Sequence, residues 1–155
     1  MRAHGFTLIE LVVTAAIVSV LALAVLPLAE SAARRAREAE LRSALREVRL
    51  ALDAYKKAWD DGRIAHGLDD AGYPATLGVL VEGVRDQKDP RGRRIYFLRR
   101  IPRDPFADAS LGTADGWGKR SYLSPPDMPA EGFDVFDIYS RSDLMGLNGV
   151  AYRQW

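Results

Sequence analysis

Between Phe6 and Ala29 the chain reads FTLIELVVTAAIVSVLALAVLPLA, 24 positions in which Glu10 is the one ionisable side chain. A helix of that length rises ~36 Å at about 1.5 Å per residue, enough to cross a hydrocarbon layer of ~30 Å. The run can therefore span a membrane. Arg2 precedes it and Arg34, Arg35 and Arg37 follow it, so a count of Lys and Arg sets no orientation. With 155 residues in all, the chain has room for one ordinary domain beside such an anchor.

Three readings of the run compete. A cleaved secretory signal has a shorter apolar region, roughly 7 to 15 residues, and a small-x-small exit. Ser31-Ala32-Ala33 offers such an exit. Against it stand the length of the run, the carboxylate near its start and a helical periodicity that continues through the cut. A plain single-pass anchor leaves Glu10 unexplained, because a carboxylate in lipid costs several kcal/mol unless it is neutralised or paired.

The third reading supplies a partner. Gly5-Phe6-Thr7-Leu8-Ile9-Glu10 resembles, residue for residue, the processing site of type IV pilins and of the pseudopilins of type II secretion systems. The resemblance implies that a prepilin peptidase cuts after Gly5 and methylates the new amino group, on Phe6. It makes Glu10 the fifth mature residue, whose carboxylate meets the N-terminal ammonium of a neighbouring subunit when helices pack into a filament. A buried carboxylate is tolerable beside a cation at ~3 to 4 Å, and a one-turn slip would leave both charges unpaired, so the pair also fixes register. Gly5 has no side chain to obstruct a peptidase. Pro27 removes one backbone hydrogen bond and crowds the carbonyl four residues earlier, a bend or loosening that in pilin-like filaments resembles a stretch able to melt on assembly.

Beyond the apolar run, Leu41, Leu45, Val48, Leu52, Tyr55 and Trp59 recur at steps of four, three, four, three and four, one face of a helix. Arg42, Arg46, Glu47, Arg49, Asp53, Lys56 and Lys57 lie between them, a solvated face or a source of intersubunit ion pairs. The helix is expected to run from about Thr7 to Trp59, about 80 Å at about 1.5 Å per residue, and to stop at Asp60-Asp61-Gly62. From Gly62 onward glycine, proline and aromatic residues take over, with turn signals at Gly72-Tyr73-Pro74, Asp89-Pro90-Arg91-Gly92, Pro102-Arg103-Asp104-Pro105, Asp115-Gly116 and Pro125-Pro126-Asp127. Thr76–Val84 is expected to be a short helix or turn and Ile95–Arg100 a connector. Ser121-Tyr122-Leu123 and Asp134–Tyr139 read as strands. The fold class is α+β: a long N-terminal helical spine, transmembrane in its first half, packed against a small antiparallel sheet. The expected divisions are a leader at 1–5, an anchoring half-helix at 6–29, an amphipathic half-helix at 30–61 and a globular head at 62–155.

In the head, Tyr73-Pro74, Gly78-Val79-Leu80, Ile101-Pro102-Arg103-Asp104-Pro105-Phe106, Gly116-Trp117-Gly118, Ser121-Tyr122, Phe133-Asp134-Val135 and Trp155 follow one another in an order that resembles the major pseudopilins, the G subunits of type II secretion. The likeness covers nearly the whole chain. One departure is the stretch Ala107–Asp115, which separates the proline-aspartate-proline residues from the tryptophan that usually follows them directly. A second concerns metal. The resemblance implies a calcium ion in the loop after the strand at 134–139, and such an ion needs six to eight oxygens at about 2.3 to 2.6 Å. This loop offers Ser140, Ser142, Asp143 and Asn148, with Gly146 and Gly149 permitting turns, but Val150-Ala151-Tyr152 stands where the family has adjacent aspartates. Ser140, Asp143 and Asn148 are thus candidate calcium ligands, calcium being the one candidate cofactor. The competing reading is a loop pinned by serine and asparagine hydrogen bonds.

Lys and Arg number 22 against 21 Asp and Glu, so no general field attracts nucleic acid. Arg91–Arg100, RGRRIYFLRR, has the composition that contacts DNA, but with a net charge of +1 it reads better as a solvated, acid-pairing edge. There is no cysteine, and His66 is the one histidine outside the leader, expected on an exposed loop. No Gly-x-Ser-x-Gly, Ser-x-x-Lys, zinc or phosphate-loop pattern frames an active site, so no enzyme is expected. The resemblance implies a single-pass protein of the bacterial inner membrane with its head in the periplasm. Its implied partners are identical subunits and other pseudopilins, a prepilin peptidase and the inner-membrane assembly platform. A type IV pilus subunit or minor pilin for adhesion or DNA uptake is the alternative.

Overall fold

The steps of three and four between apolar residues dictate the first element, a helix α1 at Leu8–Asp60 that carries Pro27 within it. In this computed structural model, residues 7–67, 70–125 and 127–155 are described, apart from the side chains of Ala24 and Leu26. The chain divides into two compact units, Met1–Arg37 and Glu38–Trp155, and α1 contributes to both.

In the first unit every described side chain from 8 to 30 is exposed, including Leu8, Ile9, Leu11, Val18, Leu21 and Leu28. The segment is long and apolar enough to cross a membrane. Its two mid-run hydroxyls are satisfied locally: Thr14 donates to the Glu10 and Leu11 carbonyls at 2.9 and 3.0 Å, and Ser19 to the Ala15 carbonyl at 2.7 Å. A lipid-facing helix needs this, since lipid offers hydroxyls no acceptor.

In the second unit the amphipathic half of α1 is the floor of the core. Leu41, Leu45, Val48, Leu52 and Tyr55 are buried as the spacing predicts, and Trp59 packs against them half-exposed. Ala44, Ala51 and Ala58 are buried among them. Small side chains there let the head approach closely. The helix ends by backbone geometry: Gly62 takes φ 66°, its N–H bonds the Trp59 carbonyl at 2.8 Å, and the Arg63 N–H bonds the Ala58 carbonyl at 2.9 Å. This paired closure uses the left-handed conformation that glycine adopts without a Cβ penalty.

The head adds α2 at Gly78–Glu82, β1 at Val84–Arg85, β2 at Arg94–Ile95, β3 at Trp117–Arg120, β4 at Asp137–Ser140 and a 3₁₀ turn at Tyr152–Gln154. β1 pairs antiparallel with β2, and β3 with β4 in the register Trp117–Ser140 through Arg120–Asp137. Leu80, Trp117, Val135, Ile138 and Tyr152 close the core over α1. α2 falls within the predicted 76–84, and β4 begins three residues into the predicted 134–139 and ends at Ser140. Residues 95–100 start as strand β2 and then hang from α2, the Phe97 and Leu98 N–H groups both donating to the Leu80 carbonyl at 3.0 Å.

The expected strand at Ser121-Tyr122-Leu123 is not one. The Ser124 N–H and hydroxyl both return to the Ser121 carbonyl, and the Ser121 N–H reaches Ala130, so these residues make a turn. The strand lies just before it. β3 contains Gly118 because the Tyr139 ring lies flat on it: a Cβ there would sit 2.3 Å from the ring. A glycine between Trp117 and Lys119 hides the alternation by which strands are recognised.

Candidate functional site: the start of the helix and the carboxy-terminal loop

Gly5 and Phe6, the expected cut site, lie outside the described residues. Thr7 and Glu10 lie inside them and form a reciprocal arrangement. The Glu10 N–H donates to Thr7 Oγ1 at 3.3 Å, while Glu10 Oε2 lies 3.5 Å from both the Thr7 N–H nitrogen and its hydroxyl. This is the Ser/Thr-x-x-Glu capping box that starts helices, with a negative charge at the positive end of the helix dipole. The signal was present as Thr7-x-x-Glu10, masked by treating Glu10 purely as a charge in an apolar run. At 3.5 Å the carboxylate contacts are at the outer limit of hydrogen bonding. Glu10 is exposed and its oxygens remain accessible to a stronger donor.

The carboxy-terminal segment is bound to α1 by three side chains of the second unit. Glu38 is 3 % exposed. Its Oε1 accepts from the Leu147 N–H at 2.7 Å and from the Tyr152 hydroxyl at 3.0 Å, and Arg42 stands 3.6 Å from its Oε2. The Arg42 guanidinium also lies over the Trp155 ring, 4.4 Å from its centroid. Arg49 binds Asp137 through two nitrogens and donates to the Ile138 and Trp155 main-chain oxygens at 3.1 and 2.8 Å. Glu38 was not among the residues singled out in sequence. The missed signal is periodicity: it precedes Leu41 by three and Leu45 by seven, which puts it on the buried face.

The three candidate calcium ligands have separate partners. Ser140, fully buried, accepts from the Ser142 N–H at 3.2 Å; Asn148 Oδ1 accepts from the Val150 N–H at 3.1 Å. Asp143, with its side chain 82 % exposed, receives Arg153 at 3.1 Å. A bridge pairs Met145 with Ala151. Among the described residues no three of His, Cys, Asp and Glu gather as a metal-holding group.

Next to this segment, Asp104 of the proline-aspartate-proline stretch is fully buried, its Oδ1 accepting from the Phe106 N–H at 2.8 Å. That turn lays the Phe106 ring on Tyr152, centroids 4.1 Å apart. The Trp117 indole N–H donates to the Pro102 carbonyl at 2.9 Å, closing the extra residues 107–115 into a surface loop. At the other end of the head the Arg63 guanidinium, at 2.6 Å, and the Lys88 N–H hold the Asp86 carboxyl below the usual carboxylate range. His66 is exposed, stacked on Trp59 at 3.9 Å and bonded to the Trp59 carbonyl at 2.8 Å.

Residues 1–26 match the family described as the prokaryotic N-terminal methylation motif. Over 141 residues the chain is 31 % identical to the type II secretion system core protein G of Dickeya chrysanthemi, covering 86 % of this chain and 85 % of the relative. The chain belongs to the type II secretion system core protein G family. The Aeromonas hydrophila member is 30 % identical over 154 residues, covering 97 % of this chain and 87 % of its own. The Pectobacterium carotovorum subsp. carotovorum member is 32 % identical over 141 residues, 86 % and 83 % respectively. No solved structure matches the chain. Membership makes the protein a pseudopilin of type II secretion with the α+β, type IV pilin-like fold expected from its sequence. Its exposed apolar helix is the membrane-anchoring span that accompanies the methylation motif.

Proposed function

We propose that this pseudopilin is a structural subunit that leaves the membrane and polymerises through its N-terminal helix into a periplasmic filament that drives protein secretion. In this reading a prepilin peptidase removes residues 1–5 and methylates Phe6; residues 6–29 anchor the precursor, 30–61 form the spine of the head, and 62–155 complete it. The work is mechanical, and no catalytic role is assigned. The supporting observation is an apolar helix surface, from Leu8 to Leu28, that no part of its own chain covers among the described residues, opened by a carboxylate held only at 3.5 Å. Lipid covers that surface before assembly and the helices of identical subunits and other pseudopilins cover it afterwards. Since lipid is as apolar as leucine, the exchange gains little per contact, so pairing of Glu10 with the Phe6 ammonium of a neighbour supplies the specificity.

Removing the gene from its host and restoring it on a plasmid tests the reading. Export of type II substrates is expected to stop and return, with pili and DNA uptake unaffected; intact secretion with lost piliation would favour a pilus subunit. Mass spectrometry of the mature chain is expected to find N-methyl-Phe6 first, and an intact Met1 would refute the processing step.

A further inference from the structure

A calcium loop works by convergence of oxygens: several carboxylates and carbonyls point inward, and the ion cancels their repulsion. The residues of this chain between Ser140 and Tyr152 are arranged with the opposite polarity. Ser140 Oγ and Asn148 Oδ1 each accept from a main-chain N–H two residues on, local turns that spend the acceptors an ion would use. Asp143, the single carboxylate between 140 and 152, is exposed and faces the Arg153 guanidinium, a fixed positive charge where a divalent cation would have to come. The donor set does not fit calcium.

What gathers the loop is an anion. The buried Glu38 carboxylate of α1 collects the Leu147 N–H from the middle of the loop and the Tyr152 O–H from its end, with the Arg42 guanidinium beside it. A buried carboxylate that accepts such donors beside a cation is tolerable, and its charge strengthens each bond it accepts. Tyr152 is fully buried, so its hydroxyl needs an acceptor and Glu38 is one. Arg42 over Trp155 and Arg49 on the Trp155 main-chain oxygen hold the rest of the segment to the same helix.

We infer that the carboxy-terminal loop of this pseudopilin is closed by the Glu38 carboxylate and folds without a divalent cation. The subunit's fold is then indifferent to the calcium level around it. The carboxylate does from below, through the helix, what an ion does from within the loop.

Thermal unfolding of the full chain in detergent, followed by tryptophan fluorescence in EGTA and again in about 10 mM calcium chloride, tests this directly. The two midpoints are expected to agree within about 1 °C. A saturable rise of about 5 °C or more, the response of a site with extracellular-type affinity, would overturn the inference. Hydrogen exchange locates the effect. Protection of residues 144–152 is expected to survive EGTA and to fall about tenfold or more in Glu38→Ala, while Asp143→Asn keeps it. Should Glu38→Ala fail to fold, Glu38→Gln, which keeps one carbonyl oxygen, is expected to show a smaller loss at the same residues. Undiminished protection in either Glu38 variant, or loss of protection in Asp143→Asn, would contradict the assignment.

Discussion

Arg49 of α1 meets Asp137 of β4 through two contacts, Nε to Oδ1 at 2.8 Å and Nη2 to Oδ2 at 3.4 Å. Arg120 reaches the same carboxylate at 3.2 Å from β3. One aspartate therefore joins the spine to both strands of the longer pair. Its side chain is 18 % exposed, so part of the interaction is screened by water. Asp137→Ala leaves two guanidinium groups facing each other without their anion. It is expected to lower the unfolding free energy by about 1–3 kcal/mol in guanidinium titrations, more than Arg120→Ala does. Equal costs would mean that Asp137 does not hold both arginines.

Trp117 is fully buried, and its indole N–H satisfies the Pro102 carbonyl. Trp117→Phe removes that donor and part of the ring volume together. A loss of about 2–4 kcal/mol is expected, the sum of an unsatisfied acceptor and a small cavity. A change below about 1 kcal/mol would mean that neither the indole N–H nor the full ring volume of Trp117 is needed by the core.

The loop 107–115 is stabilised mostly by itself. Ala107, Leu111, Asp115 and Gly116 each donate to a carbonyl three or four residues back, and a Cβ placed on Gly116 would lie 3.2 Å from that of Ala107. The two ends of the excursion are thus adjacent. Excising Asp108–Asp115, which joins Ala107 to Gly116, is expected to shift the head's melting temperature by no more than about 3 °C, since loop length costs little closure entropy. A head that fails to fold without these residues would refute the independence of the loop.

Acid should weaken the head in a defined window. Asp86 is held below its ordinary range by Arg63 first and by the Lys88 N–H second, Asp89 by Arg93 and then the Arg91 N–H, and Asp108 by the Ser110 N–H and hydroxyl. A carboxyl depressed in the folded state contributes stability that is fully present above its unfolded value, about 3.9, and is lost as pH falls through the folded one. Melting temperature is expected to be flat from about pH 7 to 5 and to fall below about pH 4, less steeply in Asp86→Asn. Identical acid slopes in the two proteins would contradict the role of the Arg63–Asp86 pair.

The parts of the fold that were legible in sequence obey short-range rules. The helix, its stop at Gly62 and the buried face from Leu41 to Tyr55 follow from 3.6-residue periodicity and the conformational freedom of glycine. The strands were harder because each is short and its pairing partner is distant in sequence. β3 hides behind Gly118, whose purpose, the Tyr139 ring, lies 21 residues away. Arg49 read as part of a solvated face, and its real partners, Asp137 and Trp155, lie 88 and 106 residues on. Glu38 shows the same limit from the other side: its place on the apolar stripe was countable, but the Leu147 and Tyr152 donors that make its burial tolerable are tertiary facts. At the helix start the motif was legible and half of its meaning was not. Thr7 and Glu10 also cap the helix reciprocally, the Thr7 hydroxyl on the Glu10 N–H and the Glu10 carboxylate on the Thr7 N–H.

That dual position of Glu10 leads to the most direct measurement. Glu10→Ala removes the proposed counter-charge for a neighbouring Phe6 ammonium while making the segment more apolar. Wild type and variant are compared by membrane fractionation and by filament yield after crosslinking. The variant is expected to partition into the membrane as fully as wild type and to lose filaments by about tenfold or more, the scale of an unmade buried charge pair. Filaments at wild-type yield from a membrane-inserted Glu10→Ala protein would contradict the assembly role assigned to Glu10.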